Sequence, residues 1–391
     1  MSIVAISCSD DDEGGAPAGP TLTGNSEVYD LSPKSDPGIS GTVTFAERDD
    51  GVTVITIELS GTAAGGDHPA HIHINSAAEG GAIAIDLTNV DGATGTSETE
   101  VDMLNTGTAI SYSSLIDFDG YVNVHLSAGD LGTLIAQGDI GQNELTGTSE
   151  EYPINSKSDP AISGTATFSE RISGETLVLI ELTGTAAEGD HPSHIHANSA
   201  AEGGGIAIDL TNVDGSTGTS ATNVAMLNDG SAITYAELLD FNGYINVHLA
   251  PDNLGVLIGQ GDIGQNALTE NFVEYPLNSV SDPNISGTAT FSERNNGFTL
   301  VTVQLDGTSA GGDHPSHIHN NDAATGGGIA IDLSNVNGET GNSATNVIML
   351  NDGTAITYAE MIAFNGYINV HLSADNLPTL IAQGDIGSNA N

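Results

Sequence analysis

The feature that most constrains this chain is an internal repeat. The phrase DHPAHIHINSAAEGG (Asp67–Gly81) returns as DHPSHIHANSAAEGG from Asp190 and as DHPSHIHNNDAATGG from Asp313. His68, His191 and His314 keep a step of about 123 residues, as do His125, His248 and His371 and the SDP tripeptides at Ser35, Ser158 and Ser281. A period of that length is too long for a solenoid repeat and of ordinary size for a domain with its own core. The spacing predicts three tandem domains at 21–143, 144–266 and 267–391, preceded by a tether at 1–20. The joins GQNELTG and GQNALTE are short, so no long linker is expected between domains.

Within one unit the hydrophobic pattern has period two. GTVTFAERDDGVTVITIELSG (Gly41–Gly61) reads as two strands about a turn at Arg48–Gly51. Val43 and Phe45 share one face of the first strand, and Ile55, Ile57 and Leu59 one face of the second. Val301, Val303 and Leu305 hold the second set in the third unit. GAIAIDL (Gly81–Leu87) groups Ile83, Ile85 and Leu87. YVNVHL places Val122 and Val124 opposite Tyr121, Asn123 and His125, and TLIAQGDI closes the unit. One short helix is expected at TYAELLDF (Thr234–Phe241), where Thr234 and Glu237 form a capping box that Thr357 and Glu360 repeat. Gly, Asn and Asp turns fill the rest. The expected fold is all-β: three antiparallel β-sandwich domains with one short helix each.

All 12 histidines lie in the repeated phrases, four per unit. Residues two apart on a strand point to the same side. His71 and His73 therefore project together while Ile72 enters the core, and His125 stands opposite Val122 and Val124. His68 lies in a turn stiffened by Pro69, from which it can fold back toward the pair. The expected ligands are His68, His71, His73 and His125, then His191, His194, His196 and His248, then His314, His317, His319 and His371. Imidazole clusters without thiolates suit Cu(II), Zn(II) or Ni(II), and three nitrogens make an open site. Asn123, Asn246 and Asn369, with Asp67, Asp190 and Asp313, are the candidate supporting partners. The competing reading has these histidines only hydrogen-bonding turns. Their concentration in every unit, with none elsewhere, favours metal: Cu(II) or Zn(II), one ion per domain. Asn89–Gly95 and Asp117–Gly120 are acidic loops that could take Ca(II), although turn chemistry also explains them and neither follows the EF-hand pattern.

Charge sets the partners. Fifty-two acidic residues face five basic ones, a net charge of −47. Nothing here neutralises phosphates, so nucleic acid is excluded, and an anionic membrane surface is disfavoured. The composition suits a surface in salt or divalent cations, which screen self-repulsion. The one cysteine, Cys8, excludes a disulfide framework and thiolate metal sites. Its context, IVAISCSDDDEGG, resembles the end of a bacterial lipoprotein signal with Cys8 as the lipidated residue, followed by an acidic export tag. The apolar run is short and has no basic residues before it, as expected if the true start lies upstream of Met1; an unstructured end is the alternative. No apolar run is long enough for a transmembrane span. The expected location is the cell surface, by lipid anchor, or the extracellular medium.

HPAHIH, the Ala/Gly-rich turn with GGAIAIDL, and GYVNVHL…GTLIAQGDI together resemble the chordin-type CHRD domain across nearly all of each unit. Two positions depart from that family. Ala136, Gly259 and Ala382 stand near a place often held by Arg, and Leu126, Leu249 and Leu372 follow the strand His where Thr is common. The resemblance implies an extracellular module, with growth-factor binding only in animal relatives. A weaker similarity, to copper/zinc superoxide dismutase, implies copper at His71, His73 and His125 with His68 as fourth ligand. It does not carry the activity, because no unit supplies a clear bridging His, zinc-binding Asp and guiding Arg together; Arg48, Arg171 and Arg294 lie at a hairpin expected to be remote. The leading expectation is therefore a metal-binding or storage protein in a structural or adhesive setting, more a binder than an enzyme. A superoxide-dismutase-like redox enzyme is one alternative. A non-metal protein-binding or matrix module, assembling through strand edges or calcium-bridged acidic faces, is another.

Overall fold

The computed structural model describes residues 19–390; Cys8 and its lipoprotein-like context lie outside them. The chain is all-β, with three antiparallel eight-stranded sheets, each falling within one sequence repeat. In the first repeat the strands are β1 (Leu22–Pro33), β2 (Ser40–Arg48), β3 (Thr53–Ser60), β4 (Asp67–Ile74), β5 (Ile83–Asp91), β6 (Thr96–Val101), β7 (Asp119–Ser127) and β8 (Asp130–Gly141). β9–β16 repeat the set over Leu145–Gly264, and β17–β24 over Leu268–Gly387. Two compact units result. One runs through Thr146 with Arg171–Ser173 added; the other comprises Gly147–Glu170 and Gly174 onward and holds two of the sheets.

In the first two repeats the expected sandwich closes into a barrel. The order β1-β2-β3-β6-β5-β4-β7-β8 forms one continuous sheet that closes on itself, as does its counterpart in the second repeat. Few pairs make the closure: Ser32 with Gln137 and Pro33 with Ala136 on one side, Asp91 with Thr96 on the other. Among the described residues the third sheet lacks the last of these pairs and runs from β21 (Ile329–Asn337) to β22 (Asn342–Val347) without closing. The inward residues are those that alternation selects. Val43, Phe45, Ile55, Ile57, Ile72, Val122 and Val124 are all essentially inaccessible. Ile83 departs from the expectation: it is exposed, while Ala84 and Ile85 are both buried. A β-bulge explains this, since Ile72 pairs with Ile85 but His73 pairs with Ile83, so the bulged strand changes phase at that point.

The short helix is present in each repeat: α1 (Tyr112–Leu115), α2 (Tyr235–Leu239) and α3 (Tyr358–Met361). Thr234 with Glu237 and Thr357 with Glu360 form both halves of the capping box; Ser111 caps α1 alone. The three arginines sit at the end of the β2-type strand, as expected, but two of them are buried. Arg294 donates to Asp262 Oδ2 at 2.9 Å and to the Asn266 carbonyl, and Arg171 makes the same contacts with Asp139 and Asn143. Arg48 instead pairs with Asp50 and Glu100 at the surface.

Candidate metal centre

The barrel order places β4 between β5 and β7, which brings the two histidine-bearing segments side by side. Their register sets Ala70 opposite Val124, His71 opposite Asn123, Ile72 opposite Val122 and His73 opposite Tyr121. Ala70, Ile72, Val122 and Val124 fill the core, so His71, His73 and His125 share the outer face. His125 lies two residues beyond the partner of His71, a diagonal neighbour. The result is a triad whose ring nitrogens lie within 4.8 Å of one another, repeated as His194, His196 and His248 and as His317, His319 and His371.

Backbone carbonyls decide which nitrogens are free. The Nδ1–H of His73 donates to the Gly81 carbonyl at 2.9 Å, and that of His125 to the Leu131 carbonyl at 2.7 Å. In the neutral form of each ring Nε2 is therefore the bare nitrogen, left for the centre of the triad. The His73 ring also stacks on Tyr121, with centroids 4.9 Å apart, and the Tyr121 hydroxyl accepts the Gly81 N–H. Gly81 has to be glycine: a Cβ there would lie 2.0 Å from the Ile74 carbonyl oxygen. The third nitrogen is His71 Nδ1, 3.1 Å from His125 Nε2. The other repeats hold their rings the same way, through Gly204 and Leu254 and through Gly327 and Leu377.

The residues fit a borderline transition metal. Three imidazole nitrogens converge with no thiolate and no carboxylate among them. In the second repeat His194 Nδ1 and His248 Nε2 are buried without any hydrogen-bond partner, a costly state for polar atoms and one that an ion would relieve. Burial, reinforced by the neighbouring rings, holds His71, His194 and His317 below the ordinary imidazole range, with Asp86, Asp209 and Asp332 acting in the opposite sense. Burial also lowers His125 and His248, against the carbonyls of Leu131 and Leu254. All are thus biased toward the neutral form that binds metal.

His68, His191 and His314 are not brought into the triads. His68 is on the core-side parity with Ala70 and Ile72, and it is buried. Its Nδ1–H donates to the carbonyls of His125 and Leu126, and its Nε2 packs on Gly66 so closely that a Cβ there would lie 2.3 Å away. It is a brace for the end of β7. His191 and His314 make the matching bonds to Leu249 and Leu372.

Of the supporting partners, the asparagines approach the site and the aspartates do not. Gln137 donates to Asn123 Oδ1 at 2.8 Å, which aims Asn123 Nδ2 at His73 Nε2, 3.5 Å away. Asn246 and Asn369 are oriented alike by Gln260 and Gln383. Asp67, Asp190 and Asp313 instead accept from Asn89, Asn212 and Asn335. Of the residues that hold the rings, Leu131 acts through its carbonyl and carries no residue-type signal in sequence, whereas Gly81 does carry one, since its place admits only glycine and the glycine recurs as Gly204 and Gly327. In the acidic loops Asp91 accepts turn amides from Ala93 and Thr94, and Asp117 and Asp119 accept from Gln142 and Asn143. Among the described residues, the clusters able to share one ion are the three histidine triads. Comparisons with protein-family models, with curated proteins and with solved structures returned no match.

Proposed function

We propose that each repeat is a chordin-type metal-binding domain that takes one Cu(II) or Zn(II) ion. His71, His73 and His125 hold it in the first repeat, His194, His196 and His248 in the second, and His317, His319 and His371 in the third. The observation that carries this reading is the inward convergence of three imidazole nitrogens, two of them freed by backbone carbonyls that hold the opposite ring proton. When bound, the ion would supply a Lewis-acidic centre or, for copper, a redox centre. The extreme acidity and the lipoprotein-like context of Cys8 support a place outside the cell, anchored or secreted, in metal binding, storage or adhesion.

The test is titration of tag-free protein with Cu(II) and with Zn(II), expected to give three equivalents per chain. Replacing His194 and His196 by Ala should remove one equivalent and leave two. Undiminished uptake would show that the acidic surface, and not the triads, holds the metal.

A further inference from the structure

Two rings of each triad have a carbonyl to hold their proton. The third ring, His71, faces a carboxylate instead. His71 and Asp86 are direct cross-strand partners on β4 and β5, as are His194 with Asp209 and His317 with Asp332. Partners of this kind project from the same face. The distance from His Nε2 to Asp Oδ1 is 3.8, 3.8 and 3.7 Å in the three repeats. That is longer than a hydrogen bond and sets the carboxylate beside the Nε2 edge of the ring.

The carboxylate is held where it is. Asn105 donates to Asp86 Oδ2 at 3.0 Å and accepts the Asp86 amide at 3.2 Å; Asn351 does both for Asp332 at 3.1 Å, and Asn228 accepts the Asp209 amide at 3.1 Å. Each asparagine is itself tied to β5 or its counterpart, Asn105 through its amide to the Ala84 carbonyl at 2.9 Å.

The proton on His71 has two places to go, with different consequences. On Nδ1 it bridges to His125 Nε2, 3.1 Å away, and occupies the two lone pairs an ion needs. On Nε2 it faces Asp86, and both inward nitrogens are bare. We infer that Asp86, Asp209 and Asp332 are positioning residues that draw the His71, His194 and His317 proton to Nε2 and so present Nδ1 to the ion. The inference rests on the metal-binding reading above and adds to it the carboxylate–imidazole–metal relay that tunes ligand basicity.

The experiment compares the full chain with a triple Asp86→Asn, Asp209→Asn, Asp332→Asn variant. Long-range proton–nitrogen correlation on the metal-free proteins reads the tautomers directly. The outer rings of the triads should carry Nε2–H in the unsubstituted chain and shift toward Nδ1–H in the variant. Cu(II) affinity should fall about tenfold to a hundredfold, with three equivalents still bound. Because the carboxylates are largely exposed, the variant should fold, and an Asp→Ser triple should behave alike. Unchanged tautomers with unchanged affinity would overturn the inference. If the unsubstituted chain takes up no ion, the metal-binding reading falls, while the tautomers still decide whether the carboxylate places the proton.

Discussion

A single methyl group tests how the rings are held. Gly204 accepts the His196 Nδ1–H on its carbonyl and gives its own N–H to the Tyr244 hydroxyl, each at 3.0 Å. A Cβ on Gly204 would lie 1.9 Å from the Ala197 carbonyl oxygen, so Gly204→Ala forces this loop outward. Losing both hydrogen bonds at about 1 kcal/mol each gives a stability loss of about 2 kcal/mol. Losing the carbonyl that fixes the tautomer should weaken the second-repeat metal site by about ten- to a hundredfold, as for other outer partners of ligands. The neighbouring Gly205 has nothing within 4 Å of its would-be Cβ, so Gly205→Ala is a matched control. Calorimetric titration with Cu(II) should give three similar sites for Gly205→Ala, and two strong sites plus one weak one for Gly204→Ala. If the two variants titrate alike, the carbonyl does not govern the ring and the argument from tautomers is wrong.

Three further outcomes follow from the same structure. Arg294→Ala leaves Asp262 and the Asn266 carbonyl without their buried partner and should cost about 3–5 kcal/mol in urea unfolding, whereas Arg48→Ala at the surface should leave the midpoint nearly unchanged. Because burial lowers His71, His125, His194, His248 and His317, the unfolded chain binds more protons than the folded one just below the ordinary imidazole pKa of about 6.5. Stability of the metal-free protein is therefore fully present above about pH 6.5 and should decline as pH falls through the lowered values; a flat unfolding midpoint from pH 7 to 5 would contradict this. Copper-loaded protein should disproportionate superoxide no faster than loosely chelated copper, and added salt should raise any residual rate, since a charge of −47 repels the anion; a fast rate that salt slows would favour a redox enzyme.

Alternation made much of this legible. Val43 with Phe45, Ile55 with Ile57, and Val122 with Val124 are inward because a strand allows nothing else, and the same rule put His71, His73 and His125 on one outer face. Applied to His68, that rule also groups it with Ala70 and Ile72, away from the triad; its closeness in sequence to His71 suggested otherwise. Two strands gave little signal. β1 has Tyr29 and Leu31 as its buried residues in an otherwise exposed run, and TSETEV in β6 reads as polar turn sequence. Barrel closure leaves no trace in hydropathy, because it depends on a few backbone pairs such as Asp91 with Thr96, while inward alternation is the same in a sandwich. The bulge that exposes Ile83 and the carbonyl of Leu131 are backbone features, invisible to residue type, whereas the residue that holds His73 shows in sequence as the glycine repeated at Gly81, Gly204 and Gly327.

Anomalous scattering from crystals grown with Zn(II), measured on both sides of the zinc edge, locates the ions themselves. One peak per domain is expected, about 2.0–2.1 Å from His71 Nδ1, His73 Nε2 and His125 Nε2 and from their counterparts, with His68, His191 and His314 unligated. Peaks scattered over surface carboxylates, or triads that stay bare while the protein retains zinc, would contradict it.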